Sequence, residues 1–222
     1  MKGQIQAVSA ILITLITVGT VSGVYLWGVP KLQKAQSEAS INKVNSKISK
    51  LYNQIISVSR DGKGAAEIVS LNFEKSNVEI ERITIKPDKN YLDMLVRLPK
   101  SAPYPSKTWI VLKGRKIQGT SIGTGIYALK GKNRPGVLMA KASGTGLVTY
   151  RIEYRNMYTT TPTEPRLDLI DIQVRGGNEA TGSTNIRIAN QGTEMDTGNQ
   201  AVTLPSGEKI RRKRTIVTLN LR

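Results

Sequence analysis

The chain has 222 residues, with 33 Lys and Arg against 16 Asp and Glu, and neither Cys nor His. Disulfides are excluded, and zinc, haem and thiol chemistry lose their usual ligands. The net charge of +17 favours anionic surroundings, whether a membrane surface or a soluble polyanion.

From Gly3 to Pro30 there is no charged residue. The most apolar part, Ala7 to Val29, makes a helix of about 35 Å, enough to cross a hydrocarbon core of about 30 Å. Ile, Val and Thr are modest helix formers in water, but in lipid a helix satisfies every backbone amide within one segment. A core helix rarely runs this far without a charge, and a cleavable secretory signal has a shorter apolar region and a small-residue cleavage site. Tyr25 and Trp27 place amphipathic rings at a membrane interface, and Lys31 marks the return to polar surroundings. Gly19 and Gly23 form a Gly-x-x-x-Gly pair that lets a second backbone approach closely. Ile11, Leu15 and Ile16 supply an apolar face for the same packing. Thr14, Thr17 and Thr20 recur every three residues and donate either across a helix pair or to their own i−4 carbonyls.

Pro30 is compatible with a kink or with the first turn of a new helix. Beyond it, Ile41, Val44, Ile48, Leu51, Ile55 and Val58 follow steps of three and four, which predicts an amphipathic helical extension. Tyr52 and Ile56 widen that seam towards a globular packing stripe, so packing on the chain's own domain is the default. Asp61-Gly62-Lys63-Gly64 supplies the stop.

From Glu67 the pattern changes to period two. Strands are predicted at 68–73, 78–85, 92–98, 108–112, 136–141, 147–154, 167–174, 185–188, 201–204 and 215–221. Turns are predicted at 86–90, 103–105, 133–136, 176–178 and 205–208, all rich in Pro, Gly, Asn or Asp. The fold class is therefore α+β: a long transmembrane helix with an amphipathic extension, then an all-β sandwich head of the immunoglobulin-like kind. The domain bounds are 4–30 for the membrane helix, 31–62 for the extension and 65–222 for the head.

No catalytic constellation stands out, and no cofactor is expected. Asp168 and Asp171 are three apart and point to opposite faces of a strand. Gly123-Thr124-Gly125 and Gly144-Thr145-Gly146 do not continue as Gly-Lys-Ser/Thr into a helix, so both read as turns rather than phosphate loops. Without His or Cys, nucleophilic schemes reduce to Ser or Thr with Lys, or to carboxylate pairs, and the chain is read as a non-enzyme.

The charge is unevenly spread. Between Asp93 and Glu153 no acid occurs, while Arg97, Lys100, Lys107, Lys113, Arg115 and Lys116 are followed by Lys130, Lys132, Arg134, Lys141 and Arg151. Such a field attracts polyanions or acidic cell-surface material, weakly and through charge alone. A second basic cluster, Arg211-Arg212-Lys213-Arg214, reads as a hairpin arm projecting into solvent.

The opening MKGQIQAVSAILITLITVGTVSGVYLWG resembles the N-terminus of archaeal type IV pilin-like proteins, the group that includes archaellins. The resemblance implies a class III signal peptide: a three-residue basic leader, cut between Gly3 and Gln4 by a prepilin peptidase. Ala10 stands where many relatives have Pro, and no Glu lies near the new N-terminus. The resemblance also implies a subunit of a type IV pilus or archaellum filament, single-pass with the head outside before an assembly platform extracts it. The membrane helices then associate as a homo-oligomeric core. A permanently anchored surface protein, an archaellum-stator-like β-sandwich protein and a polyanion- or DNA-binding minor pilin are the alternatives. One feature opposes the orientation: basic residues are denser after the anchor than before it, which by the positive-inside rule puts the head in the cytoplasm.

Overall fold

The computed structural model describes residues 2–73, 78–99, 106–114, 127–144, 146–159, 165–196, 202–203 and 209–222. Its first element, α1, spans Lys2–Arg60, a rod of about 90 Å at 1.5 Å per residue. Pro30 lies inside it, and neither ends it nor starts a new helix. The missing proline N–H leaves the Leu26 carbonyl without its helical donor.

Thirteen strands follow α1 among the described residues. They are β1 (Ala66–Leu71), β2 (Glu79–Lys86), β3 (Tyr91–Arg97), β4 (Ile110–Lys113), β5 (Tyr127–Leu129), β6 (Gly136–Gly144) and β7 (Leu147–Tyr154). Then come β8 (Asn156–Thr159), β9 (Arg166–Val174), β10 (Glu179–Ala180), β11 (Thr184–Met195), β12 (Val202–Thr203) and β13 (Lys209–Leu221). They form two sheets. The first has the order β1-β11-β13-β9-β8-β5, with β12 on the start of β13; the second has the order β10-β2-β3-β7-β6-β4. Pairing is antiparallel except at β13 with β9 and β5 with β8. The expected α+β plan, a long apolar helix followed by a two-sheet β head, is the plan observed.

The extension packs on the chain's own head. Val44, Ile48, Leu51, Tyr52, Ile55 and Val58 are at most 1% exposed, and Ile56 is buried beside them. This stripe meets β1, β11 and β13 of the first sheet and β6 of the second. One continuous core joins it to Ile83, Leu92, Met94 and Ile152 of the second sheet and to Leu71, Ile172, Ile188 and Leu219 of the first. A head bounded at residue 65 therefore omits part of its own core, which starts on the helix at Val44.

Three polar fixtures hold the helix and sheets together. Asn190, buried at the bulge of β11, donates through Nδ2 to the carbonyls of Val58 (2.9 Å) and Ser59 (3.2 Å). Those are among the carbonyls that a helix end leaves without internal donors. Tyr52 donates its hydroxyl to the Gly136 carbonyl at 2.9 Å and stacks on Tyr154 with centroids 6.5 Å apart. A Cβ at position 136 would stand 2.9 Å from the Tyr52 ring and 3.0 Å from that of Tyr154, so glycine is required there. Burial pushes the phenols of both tyrosines up. Asn90, in the left-handed region at φ 54, donates from Nδ2 to the carbonyls of Tyr154 (3.1 Å) and Ile170 (2.8 Å). Its Oδ1 accepts from the Ile172 amide at 2.8 Å. One side chain thus ties β7 of the second sheet to β9 of the first.

Strand ends differ from the periodicity reading mainly where the ladder slips. Val78 and Ile80 are buried, but so are Ile83 and Ile85, which lie on the other alternation. A register shift between Ile80 and Arg82 reconciles the two phases by adding a residue to one strand of the pair. Predicted 147–154 coincides with β7, whereas 185–188 is the core of the longer β11 and 215–221 the second half of β13. The predicted turn at 86–90 is a 3-10 turn, Pro87–Lys89, closed by Asn90. The predicted turns at 103–105 and 205–208, and Gly123-Thr124-Gly125, lie outside the described residues.

Candidate membrane helix and basic surfaces

The first half of α1 stands clear of the head. An 18-residue window reaches a mean hydropathy of 1.9 with none of it buried, so this helix is long and apolar enough to cross a membrane. Every side chain from Ser9 to Trp27 is exposed, Ile11 at 62% and Leu15 at 66%. Patches of this size are rare on a soluble monomer and mark a surface that lipid or another protein covers. Gly3 and Gln4 lie in the first turn of the helix.

Its three threonine hydroxyls are already satisfied. Thr14, Thr17 and Thr20 donate to the carbonyls of Ala10, Ile13 and Ile16 at 2.7–2.8 Å. That settles the open alternative in favour of the helix's own backbone and leaves methyl groups as the threonine contribution to a neighbour. Nothing lies within 4 Å of a Cβ built at Gly19 or Gly23, so the small-residue pair presents bare backbone outward. At the polar end, the Lys31 ammonium sits 3.6 Å from the centroid of the Trp27 ring, one helical turn back. Tyr25, Trp27 and Lys31 thus share the segment where the uncharged run ends and the charged part of α1 begins.

We expect Gly19→Leu and Gly23→Leu to leave the head folded while weakening helix–helix association by about tenfold or more, because Leu holds two close-packed backbones apart. Circular dichroism and dilution-dependent energy transfer in micelles would read the two effects separately. Unchanged association in both variants would assign the contact to another face of α1.

The basic surfaces are less basic in space than in sequence. Asp93 stands opposite Arg151 across β3 and β7, and the two form a bidentate pair at 2.8 Å. The Asp93 carboxylate holds the Arg151 guanidinium above its usual range. Arg97 pairs with Glu81 across β2 and β3, and Lys130 with Asp168 at 3.0 Å. Sheet register therefore carries acids from outside the interval into it, which a linear charge count cannot register. The aromatic rings are also occupied: Arg151 lies 3.9 Å from the Tyr91 centroid, and Lys141 lies 4.7 Å from that of Trp109. Lys132 and Arg134 sit exposed in the turn between β5 and β6. The Arg134 carbonyl there accepts from buried Arg155 at 2.8 Å, and desolvation lowers the Arg155 pKa. Lys113 ends β4, and Arg115 and Lys116 lie outside the described residues.

The Arg211-Arg212-Lys213-Arg214 cluster is not a projecting arm. It belongs to β13, which pairs in parallel with β9 on one side and antiparallel with β11 on the other. Arg212 and Arg214 converge on the fully buried Asp196 at 2.8 and 2.7 Å, and Arg214 also reaches Asp171 at 3.4 Å. Two of the four charges are thus internal ion pairs, leaving Arg211 and Lys213 as the cluster's remaining cations.

A cationic cleft on the first sheet went unforeseen. Its four charged residues, Lys63, Arg175, Arg187 and Arg222, are scattered over the chain, and no local pattern joins them. Comparison with protein-family models, curated proteins and solved structures finds no match.

Proposed function

We propose that this chain is a structural subunit of a type IV pilus-like surface filament, held in the membrane by α1 until assembly. The observation that carries this reading is the uncharged, fully exposed run of α1 rigidly continuous with a folded head. In lipid the run is a single-pass anchor. On assembly it trades lipid contacts for packing against copies of itself, through Ile11, Leu15 and the bare backbone at Gly19 and Gly23. The continuity of α1 into the head core then sets each head around the helical bundle.

A permanently anchored surface β-sandwich protein is the second reading; the basic residues on the head side of the anchor (Lys31, Lys34, Lys43) weigh against an outside head in both readings alike and do not separate them. Processing separates the two. The filament reading expects the native N-terminus at Gln4, and expects Gly3→Val to leave full-length protein in the membrane. Mass spectrometry of native material that finds intact Met1 would remove the filament reading in favour of the permanent anchor.

A further inference from the structure

Lys63 from the turn after α1, Arg187 from β11, Arg175 from the end of β9 and Arg222 from the end of β13 line one cleft on the first sheet. The cleft has a volume of about 410 Å³, and among the described residues no Asp or Glu lines it. Backbone pairing fixes its floor: Arg187 stands beside Asn220 in the ladder, and the Arg222 and Asn185 amides exchange hydrogen bonds at 2.9 Å. The Arg175 amide donates to the Leu219 carbonyl at 3.0 Å.

Elsewhere on the head, Arg97, Arg151, Arg212 and Arg214 each have a carboxylate partner. Among the described residues, none of the four cleft cations forms an ion pair. Like charges gathered around one concavity raise its potential, and an anion relieves their repulsion. Three of the four are arginines, whose planar forks match two-oxygen anions such as carboxylate or sulfate. Gln191, Thr218 and Asn220 line the same cleft and add hydroxyl and amide groups suited to neutral hydroxyl partners.

The surroundings narrow the ligand further. Among the described residues no aromatic side chain lines the cleft, and single-stranded nucleic acid uses such rings as its stacking platform. A bilayer headgroup is too far away. The membrane-proximal end of β1 is level with Lys47, whose ammonium meets the Asn72 carbonyl. That is about 25 Å along the helix beyond Pro30 at 1.5 Å per residue, and Lys63 lies farther still. We propose that the cleft binds an acidic polysaccharide, through the carboxylate or sulfate groups of its sugar units and through their hydroxyls. The site stands independently of the filament reading, because the filament subunit and the permanently anchored surface protein both carry the head outside the cell.

The test uses the full chain in nonionic detergent micelles, titrated calorimetrically at physiological ionic strength. The probes are a polygalacturonate oligomer, a sulfated dextran oligomer and single-stranded DNA of equal charge. The cleft variant Arg187→Gln/Arg222→Gln is compared with Lys113→Gln/Lys132→Gln, which removes the same charge elsewhere. We expect one or both saccharides to bind, the cleft variant to lose roughly tenfold or more in affinity, and the comparison variant to lose about twofold or less. Galacturonate binding alone would assign the carboxylate as the ligand group, and dextran sulfate binding alone would assign the sulfate. Lys63→Gln, in an exposed turn, serves as the second cleft variant should the double substitution lower thermal stability. Equal losses in cleft and comparison variants, DNA binding as tight as the saccharides, or no saccharide binding at this salt would each overturn the proposal.

Discussion

A chain that begins at Ala65 will not fold, whereas one that begins at Gln33 will give a folded head without its membrane segment. The physical reason is the stripe Val44, Ile48, Leu51, Tyr52, Ile55, Ile56 and Val58, which fills the space between the strands of both sheets. Each such side chain stabilises by roughly 1.5–3 kcal/mol when buried. Together they contribute more than about 10 kcal/mol, which matches the entire net stability of an ordinary domain. Removing them also strips the Gly136 carbonyl and the Asn190 amide of the partners that α1 supplies. Thermal unfolding followed by circular dichroism separates the two truncations. A cooperative transition in the chain starting at Ala65 would show that the sheets close without the helix.

The second large effect is expected at Asn90. Replacing it with Ala leaves the Tyr154 and Ile170 carbonyls and the Ile172 amide without the partners they have now. Orphaned polar groups cost about 1–3 kcal/mol each where they are buried, and a left-handed Ala adds about 1 kcal/mol more. A loss of about 3–5 kcal/mol is the expected outcome in denaturant titration of the chain starting at Gln33. Asn90→Gly separates the two contributions, because glycine adopts φ 54 without strain and still lacks the side chain. Asn90→Asp will destabilise strongly at neutral pH, since a carboxylate oxygen then faces two carbonyl oxygens. A loss under about 1 kcal/mol for Asn90→Ala would mean that water replaces the side chain at little cost.

Local pattern made much of this fold legible before any coordinates. The uncharged run from Gly3 to Pro30 and the three-and-four spacing from Ile41 to Val58 each follow a helical period long enough to exclude a strand. The alternation at Leu147–Tyr154 is uninterrupted, and the strand there matches it. β5, β8 and β10 went unseen because two to four residues carry too little period to stand out, and the equally short β4 and β12 were found only through the longer predicted segments 108–112 and 201–204. The phase change between Ile80 and Ile83 is unreadable without knowing that a bulge absorbs one residue.

Charge was harder to read than apolarity, and for a definite reason. Hydrophobic burial follows from a residue and its near neighbours, whereas neutralisation depends on partners brought together by register. Arg151 meets Asp93 across 58 residues of chain, and Arg214 meets Asp171 across 43. Conversely, the cations of the cleft gather from positions 63 to 222 without any run of basic residues.

The unbroken α1 also makes angular phase a property of the whole molecule. Each residue of an α-helix turns the chain by about 100° and advances it by 1.5 Å. Because no loop separates the exposed apolar run from the stripe that packs on the sheets, in the proposed filament the face turned towards a neighbouring helix would dictate the compass bearing of the head. Inserting one residue between Lys31 and Gln36 would swing the head about a quarter turn while barely lifting it, and inserting seven would restore the bearing to within about 20°. The spacer between anchor and head therefore behaves as a vernier, in which residue number is read out as azimuth.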